Sequence, residues 1–176
     1  MKKAKEMKKG AVNMTGNIVQ ELFDQEEDTQ KDKFLTFILG KEYYGIEIKH
    51  VTEIIGIQPI TEVPELPEYI RGIVNLRGKI IPVMDVRLRF KKDFKDYNDR
   101  TCIIVVDIKD VSIGLIVDSV SEVISIPDTE IVAPPDISKI GNKYIKGIGK
   151  VGNDVKLILD CNKLLNDEEI DNMSNI

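Results

Sequence analysis

From Phe34 onward the chain alternates short apolar runs with Gly- and Pro-rich breaks. Phe34-Leu-Thr-Phe-Ile-Leu39 and Tyr43-Tyr-Gly-Ile-Glu-Ile48 flank the turn Gly40-Lys41-Glu42 and predict a β-hairpin. His50 to Ile55 carries apolar residues at 51, 54 and 55, a spacing that suits a helical turn or a bent strand. Pro59, Pro64 and Pro67 mark an extended connection. Ile80–Val83, Cys102–Val106, Ile113–Val117 and Lys156–Leu159 predict further strands. Cys161 to Met173 alone reads as a helix, with Leu164, Leu165 and Ile170 apolar among acids. Many short strands between turn signals predict small barrels or a sandwich.

An internal repeat sharpens this. Tyr69-Ile-Arg-Gly-Ile73 matches Tyr144-Ile-Lys-Gly-Ile148, an offset of 75 residues, and the same offset aligns Ile80 with Val155, Val83 with Ile158 and Asp85 with Asp160. Upstream, Gly45–Ile55 matches Gly114–Ile124 at an offset of 69. Each half has too small a core to be stable alone. Two intimately packed subdomains in one cooperative unit are expected.

Residues 1–31 differ. Lys2, Lys3, Lys5, Lys8 and Lys9 precede Glu21, Asp24, Glu26, Glu27 and Asp28, with only Ile18, Val19, Leu22 and Phe23 interrupting the polarity of that stretch. A flexible tail, dispensable for folding, is the expectation. The boundaries are thus 1–31 for the tail, 32–166 for the doubled β domain and 167–176 for the helix end.

Composition removes several functions. The net charge of −5 and 6% aromatic content argue against nucleic-acid binding. The sequence shows no membrane-length apolar window and no apolar stretch after the basic start, so a cytoplasmic protein without membrane insertion is expected. His50 is the lone histidine, Cys102 and Cys161 read as free buried thiols, and no metal-binding or nucleotide-loop spacing occurs. Ser119 and Ser121 lack a base. Asp85 and Asp160 occupy equivalent places after apolar strands, which favours a shared turn or cap role over acid–base chemistry. No catalytic residue, metal or cofactor is expected.

Residues 69 to 85 read Tyr-Ile-Arg-Gly-Ile-Val-Asn-Leu-Arg-Gly-Lys-Ile-Ile-Pro-Val-Met-Asp. Asn75-Leu76-Arg77-Gly78 predicts a tight turn between two strands, with Leu76 inward, Arg77 at the tip within reach of Glu53, and Gly78 free to take a positive φ. Pro82 predicts an edge strand or a bulge.

This motif, together with Phe34-Leu-Thr-Phe, Tyr44-Gly-Ile-Glu-Ile, Val51-Thr-Glu-Ile, Gly114-Leu-Ile-Val-Asp-Ser-Val, Ile158-Leu-Asp and Lys163-Leu-Leu, closely resembles the CheW family over about residues 34 to 166. The resemblance implies a mainly β fold: two intertwined five-stranded SH3-like barrels around a shared hydrophobic core, with a short C-terminal helix. It implies a non-enzymatic chemotaxis adaptor that couples the cytoplasmic tip of methyl-accepting chemoreceptors to the regulatory domain of the histidine kinase CheA, recruited to membrane-associated arrays. Receptor binding falls on Val51, Glu53, Gly72, Asn75, Leu76, Arg77 and Gly78; kinase contact falls at the barrel ends, without assigned residues. The alternative is a small β-barrel interaction module of another two-component pathway.

Overall fold

The computed structural model describes residues 30–135 and 143–175. Eleven strands occur among them: β1 (Lys33–Leu39), β2 (Glu42–Glu47), β3 (Val51–Gly56), β4 (Ile70–Leu76), β5 (Lys79–Asp85), β6 (Cys102–Ile108), β7 (Val111–Val117), β8 (Ser119–Ser125), β9 (Ile131–Val132), β10 (Ile145–Val151) and β11 (Asp154–Leu159). A one-turn helix α1 (Val86–Arg89) follows β5, and α2 (Asp167–Ser174) lies near the C-terminal end. The tail lies outside the described residues.

The strands form two sheets, ordered β8-β1-β2-β11-β10-β9 and β3-β6-β7-β5-β4. The repeat maps β1, β2, β3, β4 and β5 onto β6, β7, β8, β10 and β11. Each sheet therefore combines the first hairpin of one half with the later strands of the other. Four pairings join the halves: β2 with β11 and β7 with β5 are parallel, β1 with β8 and β3 with β6 antiparallel. Irregularities recur in register too: β4 shifts between Ile70 and Gly72, and β10 between Ile145 and Gly147. The isolated bridge Thr61–Ile73 stands where the second half has the β9 pair Val132–Ile148. The hairpin exchange makes the two SH3-like barrels intertwined.

Burial explains the unbroken apolar runs. On β6, Ile104, Val106 and Ile108 face the shared core with Leu35, Phe37, Ile46, Met84, Leu115, Leu159 and Leu164. The intervening Ile103 and Val105 face a second cluster with Val74, Ile81, Val83 and Ile116. A strand covered on both faces needs no polar alternation. A third cluster, Phe34, Ile126 and Ile158, fills the six-stranded barrel.

Asp85 and Asp160 both cap. Asp85 accepts from the Leu88 N–H at 3.3 Å, and Asp160 from that of Asn162 at 3.1 Å. Asp85 is buried and also accepts from the Tyr97 hydroxyl at 2.7 Å.

Four local expectations need correction. Pro82 lies on an interior strand, between β4 and β7, and is tolerated because the ladder to β7 begins only at Val83. Cys161–Lys163 is a separate 3₁₀ turn, and α2 starts at Asp167 behind an Asn166–Glu169 capping box. Ile170 and Met173 are buried in the shared core, so the packed unit runs past residue 166. Cys102 is half-buried, whereas Cys161 is buried as expected. The 50–55 stretch is the bent strand of the two options: a 3₁₀ turn at Ile48–His50 leads into β3, whose register shifts between Val51 and Glu53.

Candidate functional site

The connection between β4 and β5 is only two residues, Arg77 and Gly78, with φ of +53° and +84°. Positive φ at both central positions matches the right-handed twist of a hairpin. Asn75 lies just outside the two-residue loop and fixes it, its Oδ1 accepting from the Gly78 N–H at 2.8 Å. Leu76 turns inward against the Val74–Ile81 cluster, as its position predicts. Arg77 is one of six described non-glycine residues at positive φ, with Asp32, Glu65, Lys91, Lys109 and Asp110. An L side chain in the left-handed region costs about 1–2 kcal/mol, and the equivalent place in the second half is Gly152, at φ +61°.

The Arg77 guanidinium donates to a Glu53 carboxylate oxygen and pairs with it. Arg77 is 79% exposed at its side chain and Glu53 is 26% exposed. The pair ties the β4–β5 turn to β3, from the opposite edge of the same sheet, and so helps close the barrel. Glu53, Asn75, Leu76, Arg77 and Gly78 thus make one continuous rim. Val51 and Gly72 belong to its support. Val51 is half-buried against the shared core and pairs with Val106. Gly72 is buried at φ +142°, where a Cβ would meet the Thr61 carbonyl oxygen at 2.1 Å; it lets the 57–69 connection pair antiparallel beside β4 at Thr61–Ile73.

A second feature was missed from sequence. Ile54, Ile80, Val123 and Val155 are large hydrophobic residues left exposed at 43%, 48%, 52% and 52%. They are two pairs of repeat equivalents, Ile54 with Val123 and Ile80 with Val155. Ile54 and Ile80 lie on β3 and β5 of one barrel, and Val123 and Val155 on β8 and β11 of the other. Each barrel therefore presents the same two aliphatic positions to solvent. The repeat alignment contained this signal, but an apolar position kept in both halves reads as core.

The remaining polar groups are structural in arrangement. Arg87 holds Asp118 through two hydrogen bonds at 2.7 and 2.8 Å. Although burial opposes ionisation, this guanidinium and the Gly40 N–H hold the Asp118 carboxyl below its ordinary range. Arg89 donates to Glu169 at 3.1 and 3.2 Å and to the Leu164 carbonyl at 2.9 Å, and lies over the Tyr69 and Tyr144 rings, fastening α2 to the barrels. Burial pushes the Cys161 thiol up to about 12, far from a reactive thiolate. Burial, with help from Lys49, lowers the His50 pKa. Among the described residues no three His, Cys, Asp or Glu side chains stand where they could share a metal ion, and no helix is long and apolar enough to cross a membrane.

Comparison with known proteins agrees with this geometry. The family model described as "CheW-like domain" matches residues 33–169. The chain is 35% identical to the chemotaxis protein CheW of Klebsiella aerogenes over 150 residues, covering 85% of this chain and 90% of that one. It is 33% identical to the chemotaxis protein CheW of Bacillus subtilis, covering 78% and 88%. Its fold is similar to the crystal structure of the scaffolding protein TtCheW from Thermoanaerobacter tengcongensis, with a TM-score of 0.73, 39% identity, and coverage of 78% and 96%.

Proposed function

The chain belongs to the CheW-like domain family, and on that premise we propose that it is a chemotaxis adaptor, a scaffold that joins chemoreceptors to the histidine kinase CheA and itself catalyses nothing. The observation that carries this reading is the combination, on one fold, of a polar arginine rim and exposed aliphatic residues at equivalent positions of the two barrels. A scaffold needs surfaces of different chemistry for different partners, presented on a rigid body.

The rim serves the receptor tip. Arg77 offers a planar, permanently charged donor set suited to carboxylates and carbonyls of a helical hairpin. Glu53 orients it, while Asn75 and Gly78 hold its backbone. Val51 and Gly72 contribute by fixing β3 and β4 beneath. The aliphatic pairs serve the kinase's regulatory domain. Exposed aliphatic residues at the same positions of both barrels suit apolar partner contacts. Such an adaptor works in the cytoplasm and is recruited to membrane-associated arrays through the receptor, without inserting into the bilayer.

The test is a mixing assay with a receptor signalling domain, CheA and labelled ATP. Adding this chain should bring kinase output under receptor control, while the chain alone should consume no ATP. Kinase output that ignores the chain would overturn the reading.

A further inference from the structure

The Arg77–Glu53 pair belongs to a larger polar arrangement at one mouth of the five-stranded barrel, and that arrangement includes Lys79, which has no role in the proposed function. Side chains alternate along a strand, so the residue two places from an inward apolar position is inward too. Ile55, Ile81 and Val105 face the second core cluster. Glu53, Lys79 and Asp107 are therefore the next inward places on β3, β5 and β6, toward the end where the Arg77 turn lies. Gly114 also points inward, since a Cβ there would meet Ile103 and Val83, and Ser112 stands two places before it on β7. Ser112 is the cross-strand partner of Asp107. The exposed Lys79 ammonium donates to the Ser112 hydroxyl oxygen at 2.9 Å, and that hydroxyl donates to Asp107 at 2.7 Å. A chain of hydrogen bonds thus runs from β6 through β7 to β5 and sets Lys79 beside the Arg77 turn.

The second barrel has no such chain. By the repeat offsets of 69 and 75, Glu53, Asp107, Ser112, Arg77 and Lys79 correspond to Glu122, Ile38, Tyr43, Gly152 and Asp154. The acid of β3 recurs on β8, whereas the two cations and the serine–aspartate support do not. The barrel fold therefore does not require them.

We propose that Lys79 is a second receptor-binding cation, a specificity-determining residue that acts beside Arg77, with Ser112 and Asp107 as its positioning residues. The proposal rests on the reading of the Arg77 rim as the receptor site. Only Gly78 separates Arg77 from Lys79, so their Cα atoms lie at most about 7 Å apart. That span is close to the roughly 5–6 Å between side chains one turn apart on a helix. The receptor feature that fits is a pair of carboxylates one helical turn apart, one for each cation. The acids of the mouth are already engaged, Glu53 by Arg77 and Asp107 by Ser112. The guanidinium meets Glu53 through one nitrogen and the ammonium gives one hydrogen to Ser112, so each keeps N–H donors for a carboxylate. The second barrel would meet the same carboxylates with Gly152 and Asp154, and like charge there directs the receptor to one half of a doubled fold.

The experiment measures binding of a receptor signalling domain, and separately of CheA, to the full chain over a range of salt concentrations. Lys79→Met keeps the aliphatic stem and removes the charge. It should weaken receptor binding about fivefold or more and flatten its salt dependence, with CheA affinity and the melting midpoint unchanged. Lys79→Arg should restore receptor binding. Ser112→Ala should weaken receptor binding in the parent and have no effect in the Lys79→Met background, because it acts through the ammonium alone. Equal weakening in both backgrounds would overturn the positioning role. Arg77→Met separates the proposal from the reading beneath it. If Arg77→Met loses receptor binding and Lys79→Met binds as the parent does, the role of Lys79 is overturned and the rim stands. If neither variant loses receptor binding, the rim reading fails and the proposal with it. Loss of CheA binding in Lys79→Met would also overturn the proposal, by assigning this mouth to the kinase.

Discussion

Arg77→Gly and Arg77→Glu together separate what this residue does for the fold from what it does for a partner. The backbone at position 77 sits at φ +53°, so glycine relieves about 1 kcal/mol of left-handed strain. The same change removes the Glu53 contact. With Arg77 79% exposed, that pair contributes about 0–1 kcal/mol. The two effects nearly cancel, and the melting midpoint should stay within about 3 °C of the parent, given roughly 2–4 °C per kcal/mol for a domain of this size. Arg77→Glu keeps the strain and sets like charge against Glu53, a loss of about 1 kcal/mol and no more than a few degrees. Neither variant should lose its β-sheet circular dichroism. Both should lose receptor-dependent kinase control, with receptor affinity down at least about tenfold for the missing charged donor, while direct kinase binding persists. A variant that folds and couples normally would make Arg77 an ordinary solvated turn residue. One that unfolds would make the turn structural and remove the main support for the rim as receptor site.

Three further outcomes follow from the packing. Gly72→Ala should lower stability by about 2–4 kcal/mol, seen as a drop of several degrees or more in a thermal melt, because its Cβ would overlap the Thr61 carbonyl in a backbone conformation alanine disfavours. Fragments 34–100 and 101–176 should each be unfolded alone and regain β structure only when mixed, since every barrel needs a hairpin from the other fragment; two separate denaturant transitions in the intact chain would contradict this. His50 has a folded pKa below its ordinary 6.5, so the folded state resists protonation. Stability should therefore decline as pH falls below about 6.5 and level off once the folded pKa is passed. His50→Gln should remove that part of a pH series of urea melts, leaving the separate acid loss from Asp118, whose lowered pKa confines its contribution to higher pH.

Much of this was legible in the residues, and the failures have physical causes. Strand runs such as Phe34–Leu39 and Cys102–Val106 stand out because β-branched and aromatic positions are bounded by turn residues. The repeat exposed the doubled architecture and the shared capping role of Asp85 and Asp160. It could not say which hairpin pairs with which half, because β2–β11 and β7–β5 are long-range parallel joins that leave no local pattern. Pro82 misled because the rule against proline in interior strands assumes a full ladder on both sides, and β7 pairs only beyond it. The Arg77–Glu53 contact was within reach of sequence reasoning, but the left-handed backbone at Arg77 was not, since the Asn75 and Gly78 signals drew the positive φ to the glycine alone. Ile80 and Val155 were aligned by the repeat but their exposure was not foreseen, because hydrophobicity does not distinguish a core face from a partner face.

Co-sedimentation measures directly whether this chain holds two partners at once through different surfaces. Receptor-bearing membranes, CheA and this chain are mixed, pelleted and assayed for kinase. CheA should pellet with the membranes in amounts that rise with added chain. Val123→Glu with Val155→Glu should leave the chain in the pellet and lower the kinase that pellets with it, whereas Arg77→Glu should leave both in solution. Kinase that pellets equally without the chain, or that is released from the membranes as more chain is bound, would contradict the adaptor role.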